Sequence, residues 1–200
     1  MLGRIAERIE MAAPIQSHFK PPPAFLGIIP AEHGASPLLA FDTALELDTD
    51  GHQGSVCGDP VHQSETSLHY LDDGSLDAYT VPYFVLPQLP PWRTGLPIQP
   101  GDYAAILFQG HLAFAVFGDL GGSKKLGEGS LELLRQLGQD RSLPDGCVKN
   151  VGTVAGALTI VFPKSGVPGD RRNQVSLLNA IDSKGRDLFL AAGGSPSNHG

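Results

Sequence analysis

A chain of 200 residues with 41% hydrophobic content is long enough for one sizeable core, and its 25 glycines and 17 prolines favour a β-rich, loop-heavy architecture. The formal charge of -7, from 21 acidic against 14 basic residues, argues against nucleic acid or an anionic membrane as the partner and suits a polycation. No run of 18 apolar residues supplies a transmembrane helix.

Leu2, Ile5, Ala6, Ile9 and Ala13 recur at helical spacing and predict a short amphipathic helix over 2–13. As a leader, MLGRIAERIEMAAP is poor, because Glu7 and Glu10 interrupt its apolar stretch. Six prolines between Pro14 and Pro37 read as a linker or an extended surface arm, so residues 1–37 form an N-terminal helix and proline-rich arm ahead of a domain over 38–192. Phe41 to Leu47 reads as a strand feeding the Asp48-Thr49-Asp50-Gly51 turn, which lacks the further oxygen ligands and closing Glu of a helix-loop-helix calcium site. Polar residues from Gln63 to Ser67 lead into a short alternation, and the turn Asp72-Asp73-Gly74 precedes an apolar run, Tyr79 to Leu86. Pro82 inside that run demotes it to an edge or bulged strand.

Residues 87–100 hold five prolines and the single tryptophan. Trp92 there is a sugar-stacking platform or, as such residues more often are, a pin that fixes a loop to the core. Tyr103–Phe108 and His111–Phe117, joined by Gln109-Gly110, form a β-hairpin signal. The second run closes on Gly118-Asp119, and a glycine-rich loop with Lys124 and Lys125 leads to Glu128. A short helix follows, with Ser130 as N-cap, a leucine face from Leu131 to Leu137, and Gly138 as stop. Ala157 to Phe162 reads as a further strand, Val175 to Ile181 as a helix stopped at Lys184-Gly185, Asp187 to Ala192 as ambiguous, and 193–200 as a flexible tail.

Asp119 and Glu128 thus stand on either side of one flexible loop, able to face a common cleft. Two carboxylates held apart in different environments are what acid/base hydrolysis of a glycosidic bond requires. Asp and Glu in glycine-rich loops are more often solvated turn residues. The seven histidines have no paired metal-ligand spacing and neither cysteine has a CxxC partner, so no metal and no cofactor is expected. Cys57 and Cys147 either close one long loop or stay free.

The strings DTALELDTDG (42–51), DPVHQSETSL (59–68), LDAYTVPYFVLP (76–87), GDYAAILFQGHLAFAVFGDLGGSKKLGEGSLELLRQLG (101–138) and LTIVFPKSG (158–166) resemble glycoside hydrolase family 75, the fungal-type chitosanases and their bacterial relatives. The resemblance implies endo-hydrolysis of β-1,4-glucosamine linkages with inversion by one Asp and one Glu. The family pattern FGD...GEAS falls on Phe117-Gly118-Asp119 and Gly127-Glu128-Gly129-Ser130, with Gly129 in place of Ala, so Asp119 and Glu128 take the catalytic roles. The loop between them is shorter than in fungal enzymes. Asp48, Asp50, Gln63, Ser64, Thr66 and Asp77 are then candidates to line substrate subsites, where carboxylates pair with ammonium groups. The resemblance also implies an extracellular protein, and a monomer is expected. The fold expected by analogy is a compact β-barrel, double-psi-like, with one or two short helices against it. The rival readings are a peptidoglycan-acting glycosidase or lytic transglycosylase, and a non-catalytic polysaccharide-binding barrel.

Overall fold

The computed structural model describes residues 2–32, 36–149 and 156–195, so all but the first three residues of the tail expected at 193–200 lie outside the described residues. Nine strands form one mixed sheet: β1 (Ala13–Pro14), β2 (Phe25–Ile29), β3 (Leu38–Ala44), β4 (Glu46–Asp48), β5 (Tyr83–Pro87), β6 (Tyr103–Phe108), β7 (His111–Gly121), β8 (Glu128–Ser130) and β9 (Gly156–Phe162). Their spatial order is β1-β2-β3-β9-β6-β7-β5-β8-β4. The neighbours are antiparallel except β5 with β7 and β4 with β8, which run parallel.

The sheet is open, with β1 and β4 at its ends and no ladder joining them among the described residues, so the expected closed barrel is not what the strands make. The reason lies in the side-chain alternation. Along β6, Ala104, Ile106 and Phe108 enter one apolar cluster while Tyr103 and Ala105 enter the other. Both faces therefore need a cover, where a small closed barrel has one apolar interior. The first face is covered by α2 (Leu131–Gln136), through Leu131, Leu133 and Leu134, and by Trp92 and Leu96. The second is covered by α3 (Gln174–Ala191), through Leu177, Ala180, Ile181 and Phe189, with Ile5 of α1 (Ile5–Glu10) beside them. Burying one such leucine or phenylalanine contributes about 1.5–3 kcal/mol.

Several expectations are met by these elements. The hairpin turn has positive φ at both Gln109 and Gly110, as a two-residue connection between twisted strands needs. Ser130 caps α2 by accepting from the Leu133 N–H. Its hydroxyl also donates to the Val81 carbonyl at 2.8 Å, which fastens the helix start to the entry of β5.

Other elements depart from expectation. Part of the proline-rich segment is sheet: β2 pairs with β3 over five positions, and Leu26 and Ile29 are buried. β5 lies between β7 and β8 and not at an edge, because Pro82 stands outside the strand. The register shift between Phe84 and Val85 comes from an extra residue in the partner strand β7, so it is not the bulge expected at Pro82. Gly185 does not stop α3, which runs 18 residues; it lets the helix approach Phe114, whose Cβ lies 2.7 Å from where a Cβ at 185 would sit. Cys57 and Cys147 form a disulfide, 90 positions apart.

Candidate active site

The bulge in β7 sets the register on which the site depends. Phe117 is opposite Phe84 and Asp119 is opposite Val85, so Gly118 is the extra residue and Asp119 is re-aimed into line with Val85. On its other side Val85 pairs with Glu128 of β8. Asp119, Val85 and Glu128 therefore form one row across three strands, with side chains on one face. β7 continues to Gly121, so Asp119 sits within the strand and not at its end.

Glu128 reaches along this face towards Gly121. A Cβ on Gly121 would lie 2.9 Å from Glu128 Oε2 and 2.9 Å from Val85 Cγ1, so the missing side chain is what lets the carboxylate lie there. Asp119 is two residues back on the same face, one repeat of roughly 6.6 Å along a strand. Both carboxylates line one open cavity across this glycine floor, and inverting hydrolysis requires roughly 6.5–9.5 Å between such a pair so that a water fits opposite the scissile bond.

Each carboxylate is fixed differently. The Oδ1 of Asp119 accepts three hydrogen bonds: from the Ser67 N–H (2.7 Å), the Ser67 hydroxyl (2.5 Å) and the Leu120 N–H (2.8 Å). Glu128 Oε1 is 2.6 Å from Lys125 Nζ, which also holds Glu46 Oε2 at 2.9 Å. Glu46 and Glu128 are directly opposite in the parallel β4/β8 ladder. One ammonium between them offsets a like-charge pair that would otherwise weaken the pairing. Partial burial works against the charge on Lys125, but its hydrogen bonds to Glu128 and Glu46 outweigh it and hold the ammonium well above its ordinary range.

Beneath Asp119 lie Asp48 and Asp50, and the three carboxylates offer oxygens within 4.8 Å of one another. That spacing is compatible with a cation. Protonation is the other way such a cluster relieves its repulsion, and it is the one these surroundings favour. Burial, then the charges of Asp50, Asp119 and Glu128, push Asp48 up to about 8, against the opposing Asp50 N–H. Asp50 is pushed to about 6, by burial first, with Asp119 and Asp59 adding to it and the Gln63 N–H and His62 opposing. Asp48 Oδ1 accepts from the Asp50 N–H at 2.8 Å, and the Tyr83 hydroxyl lies 3.2 Å from the same oxygen and 3.0 Å from the Asp50 carbonyl oxygen. Burial holds the Tyr83 phenol well above its ordinary range, and it remains a donor.

Asp48, Asp50, Asp119, Lys125 and Glu128 line one open cavity of about 330 Å³, together with Asp59, Gln63, Gln88 and Leu120. Of the residues singled out from sequence, Asp119, Glu128, Asp48, Asp50 and Gln63 meet there. Ser64 and Asp77 line a neighbouring cavity, and Asp77 is held by His52 at 3.0 Å. Thr66 lies outside both: it is buried, with its hydroxyl donating to the Leu68 carbonyl and accepting from the Leu76 N–H. Trp92 is 2% exposed and lies against Phe19, so it pins its loop and offers no free stacking face.

Sequence reading passed over Ser67, Tyr83 and Glu46. None carries a motif, and only strand register shows that Glu46 faces Glu128. The disulfide holds the segment carrying Asp59 and Gln63, with the Val148 N–H donating to the Cys57 carbonyl at 2.9 Å. Gly129, where the family pattern has alanine, lies under α2; a Cβ there would come within 2.7 Å of Leu133 Cδ2. No helix among the described residues is long and apolar enough to cross a membrane.

No curated protein matches the chain. The family model described as fungal chitosanase of glycosyl hydrolase group 75 matches residues 45–184, a span that contains every residue of the carboxylate cavity, and the chain belongs to that family of glycoside hydrolases.

Proposed function

We propose that the protein is an endo-acting chitosanase that hydrolyses β-1,4-glucosamine linkages with inversion, with Asp119 and Glu128 as its acid/base pair. The observation that carries this reading is the row Asp119-Val85-Glu128 over Gly121, which brings two carboxylates to one open cavity. Glu128, held by Lys125, takes a proton from the water that attacks the anomeric carbon. Asp119 gives a proton to the glycosidic oxygen as the bond to the anomeric carbon breaks. Asp48, protonated at neutral pH and within 4.8 Å of Asp119, restores that proton. The donors on Asp119 Oδ1 fix its orientation and leave the exchange to its other oxygen.

Asp50 and Gln63 in the cavity, and Ser64 and Asp77 beside it, serve as subsite residues for ammonium and hydroxyl groups of the sugar chain. Two carboxylates and a water suffice for the hydrolysis, so no cofactor enters the scheme. The protein works in this reading as an extracellular monomer. The test is the anomeric form of the first product released from fully deacetylated chitosan, followed by NMR during turnover. The α-anomer appearing first is the expected result, and β-anomer first overturns inversion. A peptidoglycan-acting enzyme would need only one of the two carboxylates, and a binding module would release no new reducing ends.

A further inference from the structure

Two cavities of opposite character lie near the carboxylate cavity. One, of about 440 Å³, shares no lining residue with it; it is lined by Glu65, Asp73 and Asp77, with Gly51 and Ser64, which follow Asp50 and Gln63 in the chain. The other, of about 180 Å³, shares Gln88 and Leu120 with it and lies under the proline-rich segment 87–100. Its accessible apolar wall is Pro90, Ile98 and Leu120, over the buried Leu86, Trp92 and Phe117; it includes no carboxylate, and its charged residue is Arg93. Arg93 is exposed on the turn whose N–H donates to the Pro90 carbonyl at 3.2 Å.

A glucosamine polymer leaving the catalytic cavity past Gln88 and Leu120 enters the smaller space, and one leaving past Asp50 and Gln63 approaches the acidic one. On the acidic side an ammonium meets three carboxylates, though His52 and His69 each hold one of them, Asp77 and Asp73. On the other side it meets a guanidinium and apolar walls, with nothing to replace its water. An N-acetylated unit carries no charge there, and its methyl group and amide suit an apolar wall rimmed by Gln88.

The geometry points to the cavity beneath residues 87–100 as a subsite for an N-acetylated glucosamine unit, with Arg93 as the residue that turns away the unacetylated one; this rests on the chitosan reading above. The enzyme therefore cuts partly acetylated chitosan asymmetrically. One newly made end accepts acetylated units and the other, on the Glu65 side, selects free amines.

The experiment digests chitosan of intermediate acetylation with the wild type, Arg93→Glu and Arg93→Lys, and sequences both new ends of the products by mass spectrometry after end-labelling. The wild type is expected to enrich acetylated units at one end only. Arg93→Glu lowers that enrichment by about threefold to tenfold, as a single charge at a partly exposed site can, with the opposite end as the internal reference, and Arg93→Lys retains it. Equal acetylation at both ends, or enrichment unmoved by Arg93→Glu, overturns the subsite while leaving the chitosanase reading intact. Failure of the wild type to cut any chitosan overturns both.

Discussion

Replacing Asp48 with Asn tests the electrostatics of the site through stability, independently of turnover. The folded protein holds Asp48 at about 8 against an ordinary value of 3.8. A carboxyl raised on folding binds its proton more tightly in the folded state, so its contribution is fully present below about pH 4 and is lost as pH rises through the window from 3.8 to about 8. Some four units at about 1.4 kcal/mol each set a ceiling of about 6 kcal/mol. Asp48 is half-buried and opens on a wet cavity, so screening and relaxation reduce this to about 2–3 kcal/mol. Asn is isosteric, keeps an acceptor for the Tyr83 hydroxyl, and never ionises. Urea unfolding of both proteins at intervals from pH 4 to pH 8 measures the difference. Asp48→Asn is expected to match the wild type near pH 4 and to exceed it by about 2–3 kcal/mol at pH 8. A difference that does not change with pH, or an Asn variant less stable at pH 8, refutes the buried proton. In activity, the same variant should lose the alkaline part of the kcat profile, because Asp119 loses its proton source.

Gly121→Ala should lower kcat by about tenfold to a hundredfold with little change in melting temperature, since the new Cβ displaces Glu128 and positioning errors of about 1 Å cost that much; a kcat unchanged in steady-state assays would remove Glu128 from the cavity floor. Lys125→Met leaves Glu46 and Glu128 facing each other without a counter-charge, and should shift the acid limb of the pH–rate profile upwards. Replacing both cysteines with serine should cost about 2–5 kcal/mol in chemical denaturation, as expected for a bridge closing a long loop. Gly129→Ala should cost about 1–3 kcal/mol by the same assay, because the new Cβ meets the fully buried Leu133 Cδ2 at 2.7 Å and the Tyr83 carbonyl oxygen at 3.2 Å.

The hairpin, α2 with its Ser130 cap, and β9 were legible because each is a local pattern with its own stop signal. What escaped the sequence was long-range. β2 hides among prolines because its pairing with β3 is decided by Leu26 and Ile29 reaching the core. Gly185 reads as a helix stop until Phe114 is seen beside it. The carboxylates that define the site were visible as residues, but their grouping depends on the bulge at Gly118 and on parallel pairing of β4 with β8, and no local signal encodes either. Thr66 looked like its polar neighbours, yet both bonds of its hydroxyl are spent within the backbone. Ser67, one position on, is the residue that holds Asp119.

The central claim, that Asp119 and Glu128 together cleave chitosan, is tested most directly by reducing-end release from highly deacetylated chitosan by the wild type, Asp119→Asn and Glu128→Gln, with peptidoglycan and acetylated chitin in parallel. Rapid cleavage of chitosan by the wild type, reduced at least about a thousandfold in each variant while both keep the wild-type circular dichroism spectrum, is the result the account predicts. Retained turnover in either variant, or peptidoglycan cleaved in place of chitosan, would contradict it.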